Sequence, residues 1–150
     1  MDLIHECTFE MELAEPLLPG PGPFGNRVVA PLAGGRCTGK RLNGDFVAPG
    51  ADWLLIGADG WGRLDVRGQL RSDDGAVIFV AYDGVLEIND KAMAAMLSSE
   101  AETAFEDQYY RTRPRLETGD ERYAWVNQAV FVGRGRFTRA GVSYEVYRVD

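Results

Sequence analysis

Eighteen glycines are spread along the whole of this 150-residue chain, and the runs between them are short and rich in Val, Phe, Tyr and Leu. Glycine weakens the interior of a helix or strand, yet it supplies the backbone angles that tight turns need. The spacing therefore predicts many short antiparallel strands joined by turns. The first run, HECTFEMEL, sets His5, Cys7, Phe9, Met11 and Leu13 on one face and Glu6, Thr8, Glu10 and Glu12 on the other. That alternation is the pattern of a half-buried strand. PLLPGPGPFGN follows as a rim loop, its prolines leaving few amide donors for a sheet. RVVAPLAGGRCTG, GDFVAPG, DWLLIGADG, GRLDVRGQLRSDDG and AVIFVAYDGVLEI then read as a meander, with Ala58-Asp59-Gly60 and Asp73-Asp74-Gly75 as its plainest hairpin turns.

Helical period occurs once. After Asp90, a residue type suited to an N-cap, Met93, Met96, Leu97, Ala101, Ala104 and Phe105 recur at spacings of three and four, giving one amphipathic helix, either continuous or broken near Ser98-Ser99. Strand pattern resumes with QYYRTRPRLE, RYAWVNQAVFVGRGRF and GVSYEVYRV. Eight to ten sequential strands with one late helix predict a single, mainly all-β domain over residues 1–150. An antiparallel β-barrel with one inserted α-helix fits best, because closure removes exposed edges; a two-sheet sandwich is the alternative. A barrel near eight strands either fills with side chains or holds one small ligand at its mouth.

A formal net charge of -7 repels a phosphate backbone, so nucleic acid is not an expected partner. No apolar run approaches the roughly 18 residues of a membrane span, and the acidic start MDLIHECTFEMEL is unlike a secretory signal. The expectation is a cytoplasmic protein that does not engage a membrane. Cys7 and Cys37 lack the spacing of a metal knuckle or a redox pair, and free thiols or one disulfide both remain open. There is no HxH, HExxH or EF-hand spacing, and no glycine pair leads into a helix. No metal and no cofactor are expected.

Several residues are candidates for a site. In RLDVRGQLR, Leu64, Val66 and Leu70 face one way while Arg63, Asp65, Arg67, Gln69 and Arg71 face the other. That polar face is either a solvated outer surface or a lumen in which Asp65 and Arg67 would grip a ligand's anionic oxygen. RYAWVNQAVFV is apolar on both sides if extended, so Asn127, beside Trp125, needs a buried partner or a ligand. Asp52 and Trp53 follow the Pro49-Gly50 turn and point to opposite faces, with Asp52 placed to satisfy turn amides or act as a base at the mouth. Glu117 stands where its strand ends, in reach of a barrel mouth or of its own hairpin. His5, the one histidine, reads as a buried structural residue on the apolar face of the first strand.

The blocks FGNRVVAPLAGGRCTGKRLNGDFVAPGADW, DGWGRLDVRGQLRSDDGAVIFVAYDG and YYRTRPRLETGDERYAWVNQAVFVGRG resemble successive blocks of the DUF3237 family, also called UPF0311. The resemblance runs in order from about Phe24 to the C-terminus. It implies a small barrel of calycin-like shape, in a family without one settled activity. Gly50, Asp52 and Trp53 match its glycine-rich turn into Asp-Trp. Asp65, Arg67, Asp73, Asp74 and Gly75 match its acid-x-Arg strand ahead of Asp-Asp-Gly, and Arg113, Pro114, Glu117, Tyr123, Trp125 and Asn127 match its last block. Two departures stand out: Gly68 replaces an aromatic after the arginine, and Ala48-Pro49-Gly50 replaces a more glycine-rich turn. The resemblance favours Arg67 facing the lumen.

Together these readings predict a small-molecule-binding barrel for a cyclic or aromatic compound, with Trp53, Tyr82, Tyr110 and Trp125 as walls and Asn127 orienting the ligand. If it is an enzyme, the chemistry is cofactor-independent proton transfer, such as isomerisation or cyclisation, with Asp52 or Glu117 as base and Arg67 steadying an oxyanion. The alternatives are a carrier or sensor without turnover, and a filled barrel acting as a structural or dimerising unit. A homodimer is a further expectation, and the helix after Asp90 is either a lid or a dimer contact.

Overall fold

Antiparallel pairing of sequence neighbours carries the chain round a closed ring in the computed structural model, which describes residues 1–150. The elements are β1 (Leu3–Leu13), β2 (Leu17–Gly22), β3 (Gly25–Gly39), β4 (Gly44–Ile56), β5 (Trp61–Ser72), β6 (Val77–Glu87), α1 (Asp90–Leu97), β7 (Tyr110–Glu117), β8 (Val130–Phe137) and β9 (Gly141–Val149). Pairing of β1 with both β9 and β3 closes an eight-stranded barrel, and β2 lies outside the ring against the first half of β3. Closure leaves no edge within the ring. The two turns built on Gly60 (φ 79°) and Gly75 (φ 92°) use backbone angles that suit glycine.

Alternation in each strand sorts residues to the two sides of the wall. In β5, Leu64, Val66 and Leu70 are buried inside while Arg63, Asp65, Arg67 and Arg71 stand in solvent. The inward side chains form one core, in which Phe9, Leu70, Ile78, Val80, Phe131 and Val146 are fully enclosed. At about 1.5–3 kcal/mol for each large apolar side chain taken from water, this interior is the main stabilising contribution. No helix is long and apolar enough to cross a membrane.

Four local expectations are corrected. RYAWVNQAVFV is not one strand: residues Glu121–Gln128 form a 3-10 helix kinked at Tyr123 and entered at Asp120, whose carboxylate accepts from the Arg122 amide, and β8 starts only at Val130. This helix caps one barrel end and drives Val126 into the core. The helix near Asp90 stops at Leu97, so Ala101, Ala104 and Phe105 lie beyond it, and its cap is Asn89, which accepts from the Ala92 amide at 3.0 Å. The proline-rich loop contributes β2, because Leu17, Gly20, Pro21 and Gly22 still find register with β3. In β1 the register slips between His5 and Cys7, a bulge that leaves His5 exposed and buries Glu6 instead. Arg41 at 2.6 Å and Arg148 at 3.4 Å hold the Glu6 carboxylate, and Arg41 stacks 3.6 Å above the Trp125 ring.

Candidate active site at the barrel mouth

The barrel end opposite the 3-10 helix is open. There the inner faces of several strand ends, with Leu13, Val28, Leu54, Leu86, Phe137 and Val142, surround a cavity of about 380 Å³. Residues Ala95–Ser99 of α1 and the turn after it form one side, and the β8–β9 turn at Thr138–Ala140 forms another. Segment 101–108 is tied to that turn: the Thr103 amide donates to the Phe137 carbonyl at 3.1 Å, and the Phe137 amide donates to Thr103 Oγ1 at 3.0 Å. A smaller chamber of about 20 Å³ lies below, sharing Leu13, Asp52, Tyr110 and Val142 with the cavity and adding Met11, Tyr82 and Tyr144.

Asp52 is the carboxylate of this site, and the path of β4 explains its position. Between Val47 and Ala51 the strand bulges against β5, and Gly50 passes so close that a Cβ there would lie 2.6 Å from the Arg67 carbonyl oxygen. Past the bulge Asp52 pairs with Val66, but the ladder resumes only at Leu55 with Arg63. The free amide of Asp65 in this gap donates to Asp52 Oδ1 at 3.1 Å. The other carboxylate oxygen has no protein donor within hydrogen-bonding distance. Removal from water pushes the Asp52 carboxyl up to about 7, with the Asp65 charge adding to the rise and the Asp65 amide and Arg27 opposing it.

Three buried tyrosines complete the floor. The rings of Tyr82 and Tyr144 meet edge to face at 5.2 Å, those of Tyr110 and Tyr144 at 5.4 Å, and the last two hydroxyls are 2.6 Å apart. Tyr82 donates to Met11 Sδ at 3.2 Å. Burial raises the pKa of all three above the ordinary phenol value, so they stay neutral donors at pH 7. Gly135 makes room for the pair: a Cβ there would stand 2.8 Å from Tyr144 Cε1 and 2.9 Å from Tyr110 Cδ1.

Of the residues singled out from sequence, the fold brings Asp52, Tyr82 and Tyr110 together. Arg67 borders the small chamber from the outer wall, but its side chain is 63% exposed, 3.7 Å from Asp65 and 6.0 Å from the Trp53 ring, so its guanidinium stands in solvent rather than in the lumen. Trp53, alternating with Asp52, is 40% exposed on the outside and is no pocket wall. Glu117 pairs with Phe79 at the far end of β6 and points outward, away from the mouth. Trp125 belongs to the capping helix under Arg41. Asn127 is exposed, not buried; its side chain accepts from the Thr118 amide at 2.9 Å and donates to the Thr118 carbonyl at 2.8 Å. Tyr144 and Met11 were not anticipated. The signal for Tyr144 was present in GVSYEVYRV, where Val142, Tyr144 and Val146 alternate with Glu145.

A larger depression of about 820 Å³ lies on the outer wall among Arg63, Arg111, Arg113 and Arg134. Three of these arginines already have carboxylates, Asp59, Asp83 and Glu145, each at 2.6 Å, so its polar groups mostly satisfy one another. No three His, Cys, Asp or Glu side chains converge anywhere in the molecule as a metal would require. Cys7 and Cys37 are buried and unbonded.

The sequence profile of a family described as "Protein of unknown function (DUF3237)" matches residues 1–149. The UPF0311 protein CA_C3321 of Clostridium acetobutylicum is 32% identical over 137 residues, covering 87% of this chain and 84% of the relative. A solved structure described as a beta-barrel like protein from Acinetobacter baumannii superposes with a TM-score of 0.84 at 27% identity, covering 99% of this chain and 96% of that one. A structure described as an enzyme from Penicillium herquei reaches a TM-score of 0.74 at 17% identity, over 99% and 94% of the two chains, a likeness of fold alone.

Proposed function

The chain belongs to the DUF3237 family, and on that premise we propose that the mouth cavity binds a small, largely apolar cyclic or aromatic compound with which Asp52 exchanges a proton. The observation that carries this reading is the Asp52 carboxyl in the cavity wall, held by a single amide from Asp65, where removal from water pushes its pKa up to about 7. A general acid or base works best when its pKa lies near the operating pH, and clefts that tune carboxylates this far are candidate sites of chemistry. Isomerisation, cyclisation and keto–enol interconversion all fit one such group without a cofactor. Glu117 and Arg67 take no part, since both are on the outside.

A carrier or sensor is the second reading. In its favour, the cavity walls are mostly apolar and the Asp52 carboxylate is bonded by the Asp65 amide rather than by an arginine side chain. Deuterium uptake by an enolisable cyclic ketone such as 2-tetralone in D2O separates the two. Catalysed exchange that drops by about a hundredfold or more in Asp52→Asn is the outcome expected for an enzyme. Binding without any catalysed exchange favours the carrier, and undiminished exchange in Asp52→Asn removes Asp52 from the chemistry.

A further inference from the structure

Three tyrosine hydroxyls and the free oxygen of Asp52 border the chamber under the cavity without a strong hydrogen bond between hydroxyl and carboxylate, and we propose that it is an oxygen pocket in which Tyr82 and the Tyr110–Tyr144 pair receive the carbonyl or phenol oxygen of the ligand. The inference rests on the reading of the mouth as a binding site and names the ligand class: phenols and enolisable ketones, with Asp52 exchanging a proton beside the held oxygen.

Each tyrosine hydroxyl has one proton to donate. Between Tyr110 and Tyr144 only one of two protons is used in their 2.6 Å contact. The Tyr82 proton is directed at the thioether of Met11, 3.2 Å away, and a thioether sulfur is a weak acceptor. Buried donors are normally paired with a competent acceptor, so two of the three protons here call for one. Space and position agree. The chamber of about 20 Å³ holds one oxygen-sized occupant, and Asp52 and Tyr110 are common walls with the cavity above, where the ligand's ring would sit. A carboxylate or phosphate group is too large for it. A single oxygen in which negative charge develops gains most, because neutral hydroxyls fixed in a dry site need no reorganisation to stabilise it.

Equilibrium dialysis of the whole protein against 2-naphthol and against naphthalene tests the pocket with and without the oxygen. Wild type should prefer 2-naphthol by about tenfold, a factor in the range one hydrogen bond supplies. Tyr82→Phe and Tyr144→Phe should each shrink that preference several-fold, with urea unfolding showing that the variants are folded. Met11→Leu, which removes the competing sulfur at similar volume, should strengthen 2-naphthol binding. Equal affinity for the two probes in wild type, or a preference that survives in the Tyr82→Phe/Tyr144→Phe double variant, overturns the oxygen pocket and leaves the mouth as an apolar site. Failure of both probes to bind overturns the mouth reading itself, and this inference with it.

Discussion

Asp52 retains its proton toward neutrality because the fold supplies one amide, from Asp65, where an ionised carboxylate in a half-buried, mostly apolar site would need several donors. On the outer side of the same wall, Arg67 remains in solvent with Asp65 beside it. Arg67→Ala should therefore leave ligand affinity and unfolding free energy nearly unchanged, within about 0.5 kcal/mol, as for other exposed surface groups. Calorimetric titration with a bound ligand and urea unfolding check both parts. The difference between these two residues shows what sequence could tell. Alternation sorted β5 into an apolar and a charged face, and it separated Asp52 from Trp53. It could not say that the apolar face of β5 is the lumen, because a barrel that fills most of its interior with Leu, Val and Tyr needs no polar inner face. Tyr144 was overlooked because a tyrosine on a core face looks like packing until its hydroxyl is seen beside two others.

Strands, turns and closure were legible at the level of elements, since glycine spacing and period-two alternation act locally. The segment RYAWVNQ was not, because its aromatic and β-branched content favours a strand while two tertiary facts select a 3-10 helix. Val126 closes the barrel end, and Asn127 makes two hydrogen bonds to Thr118 across the turn. Asn127→Ala should cost about 1–3 kcal/mol of stability through those two bonds and leave ligand binding at the distant mouth intact. Urea unfolding with a ligand titration distinguishes this from a role in the site. In β8, Gly135→Ala should cost about 1–3 kcal/mol by forcing a methyl group against the Tyr110 and Tyr144 rings. Unlike Asn127→Ala, it should also weaken ligand binding, because the tyrosine pair forms the floor of the cavity.

For the whole molecule, burial of Asp52 ties stability to pH with a definite sign. Its folded pKa of about 7 is above the ordinary 3.8, so between those values the native state binds more protons than the unfolded chain. The Asp52 contribution is fully present below pH 3.8 and is lost as pH rises through 7. Glu6, lowered by its hydrogen bond to Arg41, works in the opposite sense and loses its contribution as pH falls through its folded value. Urea unfolding at pH 5 and pH 8 should show Asp52→Asn gaining stability over wild type at both, by on the order of a few kcal/mol at pH 8 and by less than half as much at pH 5, where the loss has only begun. The fold and this linkage follow from barrel closure, but the central claim is narrower, that one carboxyl at the mouth is poised to exchange a proton near neutral pH. A carbon-13 NMR titration of the aspartate side-chain carboxyls, with Asp52 assigned through Asp52→Asn, tests it most directly. A midpoint near 7 is expected for Asp52, and a midpoint at an ordinary aspartate value near 4 removes the poised carboxyl and with it the proton exchange proposed at the mouth.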